Sequence, residues 1–184
     1  MNINMNRKFL EVEQVLRESG WSKDRNVGDF VLENSLVLCW PSGGCHYANP
    51  TAISVLRRFL GLRISARDAN KELFFIPIDF SLDYVIHSYD LPSWLTYQWM
   101  LKDYLYPVAY QEGGGTEITI ATGINGYIYG ICGISGYFYR LGDDIFTALD
   151  LLINNKELEV IPVNELGAEK RYTQLIFDVV KNQK

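Results

Sequence analysis

The sequence predicts a single α+β domain, an antiparallel or mixed β-meander packed against several helices, and three observations carry that prediction. Residues 117–122 alternate, with Ile118 and Ile120 on one face and Glu117 and Thr119 on the other, as a half-buried strand does. Asn125-Gly126 then supplies the turn dipeptide of a tight hairpin, with positive φ expected at both residues, and 127–131 returns as the partner strand. After a further apolar run over 137–141, ending at Gly142, the period changes. Ile145, Ala148, Leu149 and Leu152 fall at i, i+3, i+4 and i+7, one apolar stripe along a helix. Asp143 or Asp144 is placed to cap its start, and Asn154-Asn155 to end it.

The earlier elements follow the same logic. Phe9, Val12, Val15 and Leu16 recur at helical spacing, with Gly20 just past Ser19 as a stop. Trp21 is expected to fold back onto the end of that helix, with contact to a partner as its other role, and Arg25 to hydrogen-bond nearby carbonyls. The run Val37-Leu38-Cys39-Trp40 reads equally as a short buried strand or a helix end, and Pro41-Ser42-Gly43-Gly44 as a loop. Asn49 caps the next helix, with Pro50 in its first turn and Ala52, Ile53, Val55, Leu56, Phe59 and Leu60 as two adjoining apolar stripes. Residues 73–78 read as one continuous strand. A third helix starts near Pro92-Ser93, with Trp94, Tyr97, Leu101, Tyr104 and Leu105 on one face and Leu95 and Trp99 on another. That apolar excess leaves two readings open, an exposed surface for a partner or a helix sandwiched between sheet and C-terminal segment. Residues 158–162 suggest an edge strand with Pro162 at its margin, and Tyr172, Leu175, Ile176 and Val179 a last amphipathic helix. The domain is thus expected over 1–155, with 156–184 an extension packed on it.

With 184 residues the chain is large enough to bury about 70% of its unfolded surface and to build a core without staples. A net charge of −5 works against general binding to phosphate backbones, whose affinity comes from cationic side chains, and suits a basic protein partner. No nucleic acid and no membrane is therefore expected among the partners; nowhere do about 20 apolar residues run uninterrupted. Cys39, Cys45 and Cys132 are an odd count, and residues 1–10 lack the apolar core of a secretion signal, so a reducing cytoplasm is the expected compartment.

Catalytic groups are scarce. His46 and His87 are the two histidines, both read as ordinary loop or surface residues. Cys45 or Cys132 with His87 is the only nucleophile and base pairing to weigh, and a hydrolase built on it is the weakest reading. Cys39, Cys45 and His46 lack the paired spacing of a zinc site. Gly113-Gly114-Gly115 leads into a strand rather than a helix, so it serves as a hairpin connection and not a phosphate cradle. No catalytic residue, metal or cofactor is expected. Asp79, Asp83 and Asp90, interleaved with Tyr84, His87 and Tyr89, offer what a binder of a basic surface needs, charges to steer encounter and rings to bury. Asp79, Asp83, Tyr84, Asp90, Trp94 and Glu112 are accordingly the expected partner-facing residues.

The succession Leu105-Tyr106-Pro107-Val108-Ala109, a polar Gly-rich loop, Ile118-Thr119-Ile120, an Asn-Gly turn, Ile128-Tyr129 and a capped helix reading Ala148-Leu149-Asp150-Leu151-Leu152 resembles the bacterial SUKH superfamily. It is most similar to the branch whose chains open with an LxxxGWxxxR element, present here as Leu16 to Arg25 with Gly20, Trp21 and Arg25 as its structural landmarks. One departure is at Gly61-Leu62, where relatives commonly carry two adjacent glycines. The resemblance implies a non-enzymatic immunity protein that binds and neutralises a cognate toxin domain, a basic, nuclease-like one among the candidates; it leaves open a general interaction or regulatory module of the same fold with no dedicated toxin, and a monomer or a homodimer.

Overall fold

The structure is a computed structural model that describes residues 10–41, 43–67, 72–83, 89–113, 116–132 and 136–162. In chain order these form α1 (Val12–Glu18), α2 (Asp29–Glu33), β1 (Val37–Cys39), β2 (Cys45–Tyr47), α3 (Pro50–Phe59), β3 (Arg63–Ile64) and β4 (Ile78–Asp79). There follow α4 (Leu91–Leu101), β5 (Leu105–Gly113), β6 (Thr116–Gly123), β7 (Ile128–Cys132), β8 (Tyr137–Gly142), α5 (Ile145–Ile153) and β9 (Glu159–Ile161). Strands β3 to β9 make one antiparallel seven-stranded sheet whose spatial order is the sequence order, a pure meander, and β1 and β2 form a separate hairpin.

The sheet is buried on both faces. Ile120, Ile128 and Leu141 are fully buried on one, and Tyr129, Ile131 and Phe138 nearly so on the other. Helix α4 covers the second face: its Tyr97 ring meets Phe138 edge-on at 5.5 Å, and the Tyr89 hydroxyl just before it bonds Thr119. Helix α3 packs on β5 and β6, α5 on β8, and α1 on α5.

Local chemistry explains the ends of these elements. Helix α1 closes in a Schellman motif, Gly20 at φ +90° letting the Trp21 N–H reach the Leu16 carbonyl and the Gly20 N–H the Arg17 carbonyl. Asn49 caps α3 by accepting from the Ala52 N–H at 2.8 Å, and Asp144 caps α5 by accepting from Phe146 and Thr147. Burial raises the pKa of the Asp144 carboxyl, but bonds from the Thr147 hydroxyl and the two N–H groups outweigh it and hold the carboxyl below its usual range.

The LxxxGWxxxR residues act together. Trp21 is buried between Phe59 at 6.0 Å and Phe146 at 5.6 Å, so it joins α3 to α5 rather than lying on the end of its own helix. The Arg58 guanidinium sits over its ring at 5.3 Å. Arg25 donates to the Arg58 carbonyl at 3.2 Å and the Leu60 carbonyl at 2.9 Å, satisfying carbonyls at the C-terminal end of α3.

Three expectations change. Residues 73–78 are not one strand: Leu73 makes only an isolated bridge to Arg67, and pairing resumes at Ile78. The Phe74 N–H is committed to the Ala66 carbonyl, and Pro77 has no N–H to offer a ladder. The third helix stops at Leu101, where Lys102 adopts a left-handed conformation, so Leu105 belongs to β5. In the β6–β7 turn only Gly126 has positive φ. Its N–H bonds the Gly123 carbonyl while the Gly123 N–H bonds Tyr127, so a bulged turn replaces the expected two-residue one. The expected strand near 158–162 is present as β9 at the sheet edge beside β8, and the helix expected around Tyr172 to Val179 lies outside the described residues.

Because Trp21 spans α3 and α5 inside the core, Trp21→Ala should lower unfolding stability by about 3–5 kcal/mol, read as a drop in the urea midpoint.

Candidate functional site

One cleft joins an acidic rim to exposed apolar surface. Its near wall is the stretch from Asn34 through Val37 to Leu38, and its far wall is Leu60-Gly61 and Phe80 to Asp83; it encloses about 310 Å³. The far wall is fixed by backbone bonds, Gly61 N–H to the Phe80 carbonyl at 2.9 Å and Phe80 N–H to the Leu62 carbonyl at 2.8 Å. Leu38, Phe80 and Leu82 are buried beneath, while Val37 and Asp83 stand exposed at the rim. Helix α2 feeds the near wall, the Asn34 side-chain amide donating to the Phe30 carbonyl at 2.8 Å. Only Leu32 of that helix is buried; Phe30 is 79% exposed and Val31 49% exposed, with Asp29 and Glu33 exposed beside them. Arg57 pairs with Asp29 at 3.3 Å, an exposed contact of little energetic weight.

The acidic and aromatic residues singled out from sequence do not form one face. Asp83 lines the cleft. Asp79 is half-buried in β4 and paired with Arg63 at 3.0 Å. Asp90 is exposed but serves as the cap of α4, accepting from the Ser93 N–H at 2.8 Å. Glu112 stands opposite Glu117 in the β5–β6 ladder; its side chain, like Tyr84 and His87, lies outside the described residues. Trp94 requires correction as a partner-facing residue. It is fully buried, because α4 turns it inward against Tyr97 and Tyr89, and its indole N–H donates to the Leu105 carbonyl at 3.3 Å.

Residues 10–155 match the family model described as SUKH-3 immunity protein. The chain belongs to that family. No curated protein and no solved structure is significantly similar to it. SUKH-3 proteins are immunity proteins, non-enzymatic in general, and the family implies a toxin as partner. Among the described residues no helix is long and apolar enough to cross a membrane, and no three His, Cys, Asp or Glu gather as metal ligands.

In this SUKH-3 chain the sulfur chemistry differs from the sequence expectation. Cys39 and Cys45 stand directly opposite in the β1–β2 ladder and form a disulfide. Cys45 therefore has no thiol to serve as a nucleophile, and Cys132 is buried. His46 is likewise not a surface residue. It is 4% exposed, boxed by Trp40, Trp94, Tyr104 and Tyr106, and its Nε2–H donates to the Leu105 carbonyl at 2.6 Å. Sequence reasoning also missed Phe30, Val31 and Val37, having read the region from Phe30 to Trp40 by its most apolar run. No local signal marks them: the five-residue helix between Gly28 and Asn34 buries only Leu32, and which of its apolar residues turns inward depends on what the helix packs against.

A second concavity, about 390 Å³, lies along the end of α4 and the β6–β7 turn, with Leu95, Trp99, Tyr104 and Ile124 among its lining. It lacks an exposed acid: Asp103 there is buried, accepting from the Ile124 N–H and the Tyr129 hydroxyl, each at 3.0 Å.

Burial among the four rings pushes the His46 pKa below its usual 6.5, and the bond to Leu105 only partly opposes this. The unfolded chain thus takes up a proton that the folded chain refuses. Stability from this group is complete above about pH 6.5 and is lost progressively as pH falls from there toward the depressed folded pKa. The urea midpoint of the wild type should fall more between about pH 7.5 and about pH 5 than that of His46→Gln, which keeps a donor for Leu105 but cannot titrate.

Proposed function

We propose that this chain binds a cognate bacterial toxin domain directly and neutralises it by occupying its active site or its substrate approach, acting in the cytoplasm. The observation that carries the reading is the family match over residues 10–155; the cleft supplies a chemically suitable contact face for it. Phe30 and Val31 offer apolar area at the surface with Asp29 and Glu33 exposed beside them in α2, and Asp83 adds negative charge on the far wall of the cleft. A net charge of −5 adds long-range attraction for a cationic toxin, such as a nuclease whose own surface binds phosphate. Asp79, Asp90 and Glu112 contribute at most to this field.

The test is capture followed by substitution. A tagged chain expressed in its native bacterium should retain one large protein through a toxin domain at near-equal stoichiometry; recovery of unrelated housekeeping proteins would favour a general interaction module. With the captured toxin, Phe30→Ala should weaken binding by about 2 kcal/mol, roughly 30-fold in Kd, with the unfolding midpoint unchanged because the ring is already in water. Asp83→Lys should slow association and reduce protection at low salt more than at high salt. If neither variant alters Kd while Trp99→Ala does, the interface lies on the second concavity instead.

A further inference from the structure

We propose that the Cys39–Cys45 disulfide is a reversible thiol–disulfide switch that sets the order of the hairpin tip, where β1 leaves the near wall of the cleft. This deepens the proposed function, on which its coupling to a partner and its reducing surroundings rest; the bridge and its exposure rest on the hairpin alone.

Three observations lead there. The hairpin β1–β2 has two strands and three residue pairs, Val37 with Tyr47, Leu38 with His46 and Cys39 with Cys45. A two-stranded ribbon of that size is marginal without help. The bridge closes it at the tip, across a sequence separation of only 6, where the intervening turn is otherwise held by the bonds between Trp40 and Gly44 and between Gly43 and Trp40. Next, the alternation of the strands divides the hairpin's chemistry. Leu38 and His46 point inward and are buried, whereas Cys39 and Cys45 are exposed, so a thiolate reaches the sulfurs without any unfolding of the chain. Finally, the strand that carries Cys39 carries Val37 and Leu38, which form the near wall of the cleft. In a cytoplasmic protein an accessible disulfide of this kind is transient and regulatory rather than a permanent staple.

The exchange balances with a dithiol reductant. One thiolate of the dithiol attacks either sulfur of the pair, forming a mixed disulfide and releasing the other cysteine as a thiolate that takes a proton. The second thiol of the reductant, deprotonated, displaces the remaining cysteine, which is protonated in turn. Two electrons pass to the chain, the reductant becomes a disulfide, and Cys39 and Cys45 end as thiols. Reduction leaves the inward anchors Leu38 and His46 in place but frees the hairpin tip, so the turn beyond Leu38 samples open states at the end of the cleft's near wall.

The experiment uses the full chain and needs no toxin. Denatured without reductant after equilibration in oxidised glutathione, the protein should show one reactive thiol, Cys132, and three after treatment with dithiothreitol. Hydrogen exchange of the folded protein should then be at least about tenfold faster on reduction at the Trp40 and Gly43 amides of the tip, with the Ile120 and Ile131 amides of the sheet unchanged. A Cys39→Ser, Cys45→Ser double variant should match the reduced protein under both conditions. Three reactive thiols after oxidation, hairpin exchange indifferent to reduction, or loss of sheet protection along with the hairpin would each overturn the proposal. With a captured toxin domain, reduction should weaken Kd; unchanged Kd beside a responsive hairpin would overturn the coupling. A responsive hairpin with no toxin captured would leave the switch standing and count against the functional reading alone.

Discussion

Two adjacent backbone carbonyls hold the parts of this molecule together. Where the chain leaves α4 for β5, the Tyr104 carbonyl accepts from the Asn49 side-chain amide at 3.2 Å, and the Leu105 carbonyl accepts from His46 at 2.6 Å and Trp94 at 3.3 Å. The Leu105 N–H is met by Gln98 at 3.0 Å. Asn49 also donates to the Thr122 carbonyl at 2.9 Å while its oxygen caps α3. One buried crossing therefore ties the hairpin, α3, α4, β5 and β6. A buried polar group left unmatched costs about 1–3 kcal/mol, so these positions depend on one another.

The N-terminal element performs the corresponding task on the other helices. Gly20 turns the chain, Trp21 enters between Phe59 and Phe146, and Arg25 takes the carbonyls that α3 leaves open at Arg58 and Leu60. A tryptophan and an arginine four residues apart thus serve packing and hydrogen bonding at the same helix end. That arrangement fixes the stretch around Leu60-Gly61, and with it the far wall of the cleft. Both walls of the cleft are bonded to the core: the far wall through Gly61 and Phe80, and the near wall through the Tyr106 hydroxyl, which donates to the Ser35 carbonyl at 2.7 Å, and through His46 on Leu105.

Charge along the chain is a poor guide to charge available for binding. Of the acids between 79 and 90, Asp79 is half-buried against Arg63, Asp90 is occupied by a helix N-terminus, and Asp83 lines the cleft. Asp29 and Glu33 are exposed on either side of Phe30 in a different part of the sequence, so the acids that reach solvent share no local pattern.

What the sequence determined by itself was most of what near neighbours govern, though not the form of the Asn125-Gly126 turn or the end of α4 at Leu101. The strand at 117–122, the period change at Ile145, the caps Asn49 and Asp144, the Gly20 stop and the edge strand near Val160 are all present, because each is settled within a few residues by pleat, helical repeat or an N–H needing an acceptor; the half-buried alternation of 117–122 is not, since Thr119 is fully buried. The family resemblance was legible for the same reason, since its motifs are the structural ones. Tertiary structure alone decided the rest. Trp94 and His46 were drawn inward by a carbonyl 11 and 59 residues away, and Cys39 met Cys45 only because the hairpin registers them as a pair. Phe30 was left in water because Leu32 had already satisfied the short helix that carries it. Burial is decided by which distant surfaces meet, and neither composition nor periodicity contains that information.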